Sequence, residues 1–319
     1  MASISPVPSP QTYSEHLNSV LEMESRSPQE WQNLLELSLR LQSPTDVFKY
    51  GEYVFGYRPA AHHIEMVDTV LAAIEERRNT VILEPRGAAK STWGNTIALS
   101  HHIATHPDAR IGLFSKTAQH AFDFSRAIRW TIEKNERFRE VFGNLVSDSK
   151  WTDSEWLRAD SRWHGSNNVT LFAQGVFGQI VSKRFDVIFC DDILDEENTG
   201  NIDQVERLVT WFTKTLLPCL APDGVIILLG TRWAEGDLYE YLIKPKADGG
   251  LGWNHIVRSA LIPDGDSWRS FWPEYFSVDY LFEMKDTMGG PLFSCAMQND
   301  ISGLMEGNIF AKRDFEYFS

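Results

Sequence analysis

Between residues 80 and 231 the chain alternates short, uninterrupted apolar runs with longer stretches in which apolar residues recur every three or four positions. The runs are TVILE (80–84), ARIGLFS (109–115), NVTLFA (168–173), FDVIFCDD (185–192) and GVIILLGT (224–231). Apolar runs of this length are strands covered on both faces, and the helical stretches between them predict a mostly parallel sheet flanked by helices. Upstream, Ser27-Pro28-Gln29-Glu30 reads as a capping box with proline at the first helical position, and Trp31, Leu34, Leu35 and Leu39 follow at helical spacing. That small helix is expected to end near Ser43-Pro44. A second helix is expected from about Ala61 to Glu76, with Met66, Val67, Val70, Leu71 and Ile74 as its buried stripe. The Pro- and Ser-rich first dozen residues read as disordered. Beyond Pro263 the pattern loosens into Trp, Pro and Gly, with one helical stretch near Val278–Met288. The expected division is therefore 1–45 as a helical extension, 46–262 as a core and 263–319 as a C-terminal segment.

At 319 residues, with 43% hydrophobic and 12% aromatic residues, the chain can fill a sizeable core. No apolar run is long enough for a membrane span, and the start MASISPVPSPQTY has neither the basic flank nor the apolar stretch of a secretory signal, so an intracellular protein is expected. Cys190, Cys219 and Cys295 lie far apart without zinc-site spacing and read as reduced structural thiols. The formal net charge of -14 excludes broad electrostatic adhesion to a nucleic-acid backbone. Any contact with DNA must be local.

The chemistry starts after the first run, at LEPRGAAKST (83–92). Aligning Lys90-Ser91 on the phosphate-loop pattern G-x-x-x-x-G-K-[ST] puts Glu84 and Ala89 where glycines belong. Other requirements are kept: Gly87 supplies backbone freedom, and Ala88 and Ala89 keep side chains small where amides approach phosphate oxygens. Lys90 can reach the β and γ phosphates, Ser91 can place a hydroxyl on magnesium, and the helix opening there adds its positive end. The same residues also fit an ordinary strand, turn and helix.

A second half-motif stands about a hundred residues on. FDVIFCDD ends an apolar strand with Asp191 and Asp192, the arrangement that gives one acid to magnesium and the next to an attacking water. Glu usually holds the second place, and Asp192 is shorter by one methylene, about 1.5 Å of reach. Glu196 and Glu197 in DDILDEEN are possible substitutes, and so many acids also fit a calcium site.

Gly230-Thr231-Arg232-Trp233 closes another apolar strand. Together, EPRGAAKST, FDVIFCDDILDEEN, WFTKTLLPCLAPDGVIILLGTRW and GDLYEYLI resemble the ATPase half of the large terminase subunit, the motor that packages DNA into tailed bacteriophage heads. The resemblance runs from about residue 46 to 310. It implies an α/β P-loop NTPase of the ASCE type that uses ATP and Mg2+. By position, Lys90 would bind phosphate, Ser91 and Asp191 would hold magnesium, Thr231 would sense the γ phosphate, and Arg86 would be the loop arginine, with Thr92 closing the nucleotide-binding run. FGYRPAAHHIEM is similar to the family's adenine-side motif, with Tyr57, Arg58, Pro59 and His63 at its places. His63 reads equally as a structural histidine, and Tyr57 as a core residue.

The resemblance further implies double-stranded DNA, a capsid portal and a small terminase subunit as partners, a homo-oligomeric ring when active, and the cytoplasm of an infected bacterium as the place of work. It casts 263–319 as a lid and linker, with PLFSCAMQNDISG leading toward a nuclease that would need another ~150–200 residues. Nuclease activity is not expected here. Arg126, Arg129, Arg158, Arg162 and Arg184 are candidates for an arginine completing a neighbour's site, and RAIRWTIEKNERFRE (126–140) could face DNA, a neighbouring subunit or solvent. Lys183-Arg184 could equally be a hairpin tip. Two alternatives stay open: a helicase-like, nucleic-acid-stimulated ATPase, and a nucleotide-binding docking module without turnover.

Overall fold

The computed structural model describes residues 27–43, 46–195, 198–199 and 201–302. The expectations for the first dozen residues, for Pro44, for Glu196 and Glu197, and for the terminal AKRDFEYFS lie outside the described residues.

Helix α1 (Pro28–Leu41) is capped as its sequence requires: the Glu30 N–H donates to Ser27 Oγ at 3.3 Å, and the Ser27 N–H donates to the Glu30 carboxylate at 2.6 Å. Its buried positions are Leu34, Ser38 and Leu41, whereas Leu39 is 57% exposed, which corrects the expected stripe. The helix is turned by its far end, where His101 Nε2 donates to the Leu41 carbonyl at 2.8 Å and Gln42 Nε2 to the Val141 carbonyl at 3.4 Å. Helix α2 (Val47–Tyr50) runs into a wider π-type turn over Gly51–Phe55. Helix α3 (Ala61–Glu76) buries Met66, Val67 and Val70, with Leu71 and Ile74 half-buried.

The sheet follows as β1 (Thr80–Leu83), α4 (Ser91–Ala98 in π-type turns, continued by Leu99–Thr105), β2 (Ile111–Ser115), α5 (Ala118–Lys134), α6 (Glu136–Phe142), β3 (Val146–Trp151), β4 (Glu155–Arg158), β5 (Leu171–Gly175), β6 (Phe185–Asp191), α7 (Ile202–Trp211), β7 (Leu220–Gly230), α8 (Leu238–Ile243) and β8 (Asn254–Val257). Strand β5 starts at Leu171 rather than Asn168, and β7 starts early, at Leu220. Among the described residues the sheet has eight strands, ordered β3-β4-β5-β2-β6-β7-β1-β8. From β5 to β8 every pairing is parallel; β3 and β4 are joined antiparallel at the β5 edge. Alternation splits the core between two faces. Ile82, Leu113, Phe189 and Ile227 pack with Val67, Trp93 and Ile128, while Val81, Phe114, Ile188 and Leu228 pack with Leu208, Phe212 and Tyr239.

Strand β7 stands between β1 and the acid-bearing β6. The register pairs Leu83 with Gly230, Leu229 with Asp191, and Asp191 with Ser115. The C-terminal ends of β1, β7, β6 and β2 therefore lie in one row, where open parallel sheets bind ligands.

After β8 come a hairpin, β9 (Leu261–Asp264) and β10 (Ser267–Ser270), and helices α9 (Val278–Met288) and α10 (Gly290–Gln298). Leu261, Phe271, Phe276, Leu281, Phe293 and Met297 form a third apolar cluster, which includes Ala88. The C-terminal segment thus packs onto the loop after β1.

Candidate active site

The loop between β1 and α4 turns through two residues with positive φ. Gly87 has φ +78° and Ala89 has φ +53°, so the alanine at the second glycine position adopts the left-handed conformation that glycine takes without strain. A Cβ at Gly87 would come within 3.0 Å of Phe276 Cζ, a tight contact that the C-terminal segment would have to relieve by a small shift.

Glu84, at the first glycine position, turns its carboxylate to Arg258. It is 0% exposed, and its two carboxylate oxygens accept from Arg258 Nε at 3.1 and 2.9 Å. Arg258 also reaches Glu65 at 2.7 Å, and its N–H donates to the Leu83 carbonyl at 2.9 Å. Burial outweighs the attraction of Arg258 and pushes the Glu84 carboxyl up to about 7. The residue is an anchor between β1, α3 and the strand that leads into the C-terminal segment.

Five side chains expected to work together do meet at the end of the sheet. Lys90, nearly buried, places Nζ 3.1 Å from Asp192 Oδ2 and 3.4 Å from Thr231 Oγ1. Ser91 Oγ donates to Asp191 Oδ2 at 2.9 Å. Thr231 Oγ1 donates to the Glu84 carbonyl at 3.2 Å, tying the end of β7 to the start of the loop. Asp192 leaves β6 at φ +43°, with its N–H on the Leu229 carbonyl at 2.9 Å, and this turn aims its carboxylate at Lys90.

Asp191 is buried, and its Oδ1 has no hydrogen-bond partner among the described residues. Burial first, and then the neighbouring Asp192 charge, push its carboxyl up; Lys90 and Ser91 pull it down. Asn95 stands beside it without closing a hydrogen bond. A free carboxylate oxygen next to a serine hydroxyl fits magnesium, which takes one or two carboxylates and completes its shell with waters and phosphate oxygens. No cluster of three or more His, Cys, Asp or Glu side chains suited to a metal occurs among the described residues.

The remaining expected residues are placed differently. Arg86 is exposed and stacks its guanidinium 4.5 Å from the Trp233 ring, while its N–H donates to the Ala296 carbonyl at 2.9 Å. Thr92 lies half-buried in the first turn of α4. Tyr57 is 51% exposed and stacked on Phe55, Arg58 pairs with Glu52 at 3.3 Å, and Pro59 is half-buried before α3. His63 is buried with both ring nitrogens engaged: Nδ1 accepts the Ala60 N–H at 3.0 Å, so Nε2 carries the proton and donates to the Ala88 carbonyl at 3.0 Å. Burial lowers its pKa to about 4, keeping it neutral in this role. One ring nitrogen is thus engaged by the helix start and the other by the loop after β1.

His62, which the sequence did not single out, reaches the same Ala88 carbonyl at 3.3 Å. The doublet HH at a helix start was its only visible signal. Arg258 gave none, because it lies 174 residues from Glu84.

Among the arginine candidates, Arg158 is buried against Asp160 and the carbonyls of Ile103 and Ala104, so it cannot reach a neighbour. Arg129 and Arg126 are held by Asp153. Arg162 is exposed beside Trp163, and Arg184 is exposed with its guanidinium on the Lys183 carbonyl. Lys183 is buried on Glu155 at 2.6 Å, in a connection between β5 and β6, which are not neighbours in the sheet; it is no hairpin tip.

The sheet order and its flanking helices are those of the α/β P-loop NTPase fold. No family model and no curated protein matches the chain. Among solved structures it is similar to the large terminase ATPase domain of Thermus phage P74-26, at 15% identity and a TM-score of 0.48 over 81% of this chain and 98% of that one. It is also similar to the large terminase of a thermophilic bacteriophage in complex with ADP (9% identity, TM-score 0.41, 76% of this chain and 53% of that one). A further likeness is to the large terminase of bacteriophage HK97 (11%, 0.44, 77% and 48%). The chain spans about half the length of the last two.

Proposed function

We propose that the chain is a magnesium-dependent ATPase and the motor domain of a viral DNA-packaging terminase, coupling hydrolysis to movement of double-stranded DNA into a procapsid. The observation that carries the ATPase reading is the meeting of Lys90, Ser91, Asp191, Asp192 and Thr231 at one end of the sheet. The packaging role is supported by the combined motifs of the sequence, which resemble terminases.

In this reading the amides of Gly87 to Ser91 cradle the phosphates and Lys90 exchanges Asp192 for the β and γ oxygens. Ser91 and Asp191 would hold magnesium, which would supply neutralisation of phosphate charge. Freed from Lys90, Asp192 orients the attacking water. Thr231, bonded to the Glu84 carbonyl, carries the state of the γ phosphate to both β1 and β7. Such a motor works as a ring with the portal and small subunit as partners, and exposed Arg162 and Arg184 are the candidates to complete a neighbour's site.

The test is ATP hydrolysis by the intact protein, Lys90→Ala and Asp192→Asn, each with and without double-stranded DNA. Turnover stimulated by DNA and lost in both variants is expected. Tight ATP binding without phosphate release in any condition would leave a docking module instead.

A further inference from the structure

One buried polar group beside the site has no part in the chemistry above. Tyr239 on α8 is 0% exposed, and its hydroxyl has no hydrogen-bond partner among the described residues. Leaving a buried hydroxyl unpaired is costly, and phenylalanine would fill the same space without that cost. The group therefore points to a partner that it meets in another state of the site.

Its position says which partner. A Cβ on Gly230 would fall 2.1 Å from the Tyr239 hydroxyl oxygen, so the phenol presses on the backbone at the end of β7, immediately before Thr231. Gly230 has to be glycine for the ring to enter. The preceding residue, Leu229, accepts the Asp192 N–H at 2.9 Å, which brings the acid-bearing turn to the same spot. Burial, and after it the negative charge of Asp192, hold the phenolic proton in place, so the hydroxyl is a donor throughout the physiological range.

We propose that Tyr239 is a positioning residue whose hydroxyl donates to the Asp192 carboxylate once nucleotide has drawn Lys90 away, fixing that carboxylate against the attacking water. The inference rests on the reading of Asp192 as the water-orienting group. In the structure Asp192 is held by Lys90 at 3.1 Å. When Lys90 turns to phosphate oxygens the carboxylate loses its donor, and the unpaired phenol standing beside the turn supplies another. No proton is transferred: the O–H bond of Tyr239 persists and only the carboxylate's orientation changes.

The experiment is steady-state ATP hydrolysis and thermal unfolding of the intact protein and Tyr239→Phe, with Lys90→Ala alongside. Loss of one hydrogen bond made only in the reactive state is expected to lower kcat about tenfold, with KM changed less than roughly twofold. The melting temperature should hold or rise, because the variant deletes an unpaired buried hydroxyl. An unchanged kcat in Tyr239→Phe, with Lys90→Ala inactive, would overturn this inference and leave the ATPase reading standing. A fall in both kcat and melting temperature would assign Tyr239 a packing role and overturn it too. An intact protein that neither binds nor hydrolyses ATP would remove both.

Discussion

Lys90 and Asp192 form an ion pair of 3.1 Å at the centre of the site, with Lys90 nearly buried and Asp192 close to half exposed. The lysine ammonium is thus satisfied by a carboxylate. On the proposed reading a phosphate stands there instead, and the pair competes with nucleotide.

Asp192→Asn should therefore separate binding from chemistry. Removing the competing charge is expected to leave ATP binding as tight or tighter, while hydrolysis falls by about 10²-fold or more through loss of the water-orienting group. Fluorescent-nucleotide titration and phosphate-release assays measure the two arms. Turnover equal to that of the intact protein would transfer the role to another acid.

The loop geometry makes a sharper prediction at its small residues. At Ala89, φ +53° is tolerable for a methyl but not for a β-branched side chain. Ala89→Val should cost about 1–3 kcal/mol in thermal or denaturant unfolding. Gly87→Ala should also destabilise, by about 1–2 kcal/mol, through positive φ and the approach of Phe276. Unchanged stability in both variants would show that the loop relaxes freely.

Much of the architecture was legible in the sequence, and what escaped had physical reasons. The buried parallel strands β1, β2, β6 and β7 announce themselves because both faces are apolar. Strands β3 and β8 do not: they are edge strands with mostly half-buried or exposed residues, such as Asp148-Ser149-Lys150 and Asn254-His255, and no periodicity marks them. Lys90, Ser91, Asp191 and Thr231 were readable because each follows or ends a strand in a local motif. Glu84 looked like a missing glycine because its partner Arg258 is distant in sequence. His63 read equally as a base ligand and as a structural histidine, because a local motif cannot show which partners its ring nitrogens meet.

Glu84 gives the pH dependence. Its carboxyl titrates at about 7 when folded, against an ordinary value of 4.5. Between those values the folded state holds the proton more tightly, so this group's contribution is full below pH 4.5 and is lost as pH rises through 7, by up to ~3 kcal/mol. Glu84→Gln, which keeps the shape and cannot ionise, should flatten that part of the melting-temperature profile and exceed the intact protein in stability above pH 7. Superimposable profiles for the two proteins across the window would contradict the assignment.

On the proposed reading, small side chains and a left-handed alanine keep a phosphate cradle where the usual first and last glycines are replaced. A crystal structure of the protein with magnesium and a non-hydrolysable ATP analogue is the decisive measurement. The β and γ phosphates are expected on the amides of residues 87–91, with Lys90 moved from Asp192 onto phosphate oxygen. An analogue bound elsewhere, or a loop still closed beneath Phe276 with the Lys90–Asp192 pair intact, would contradict it.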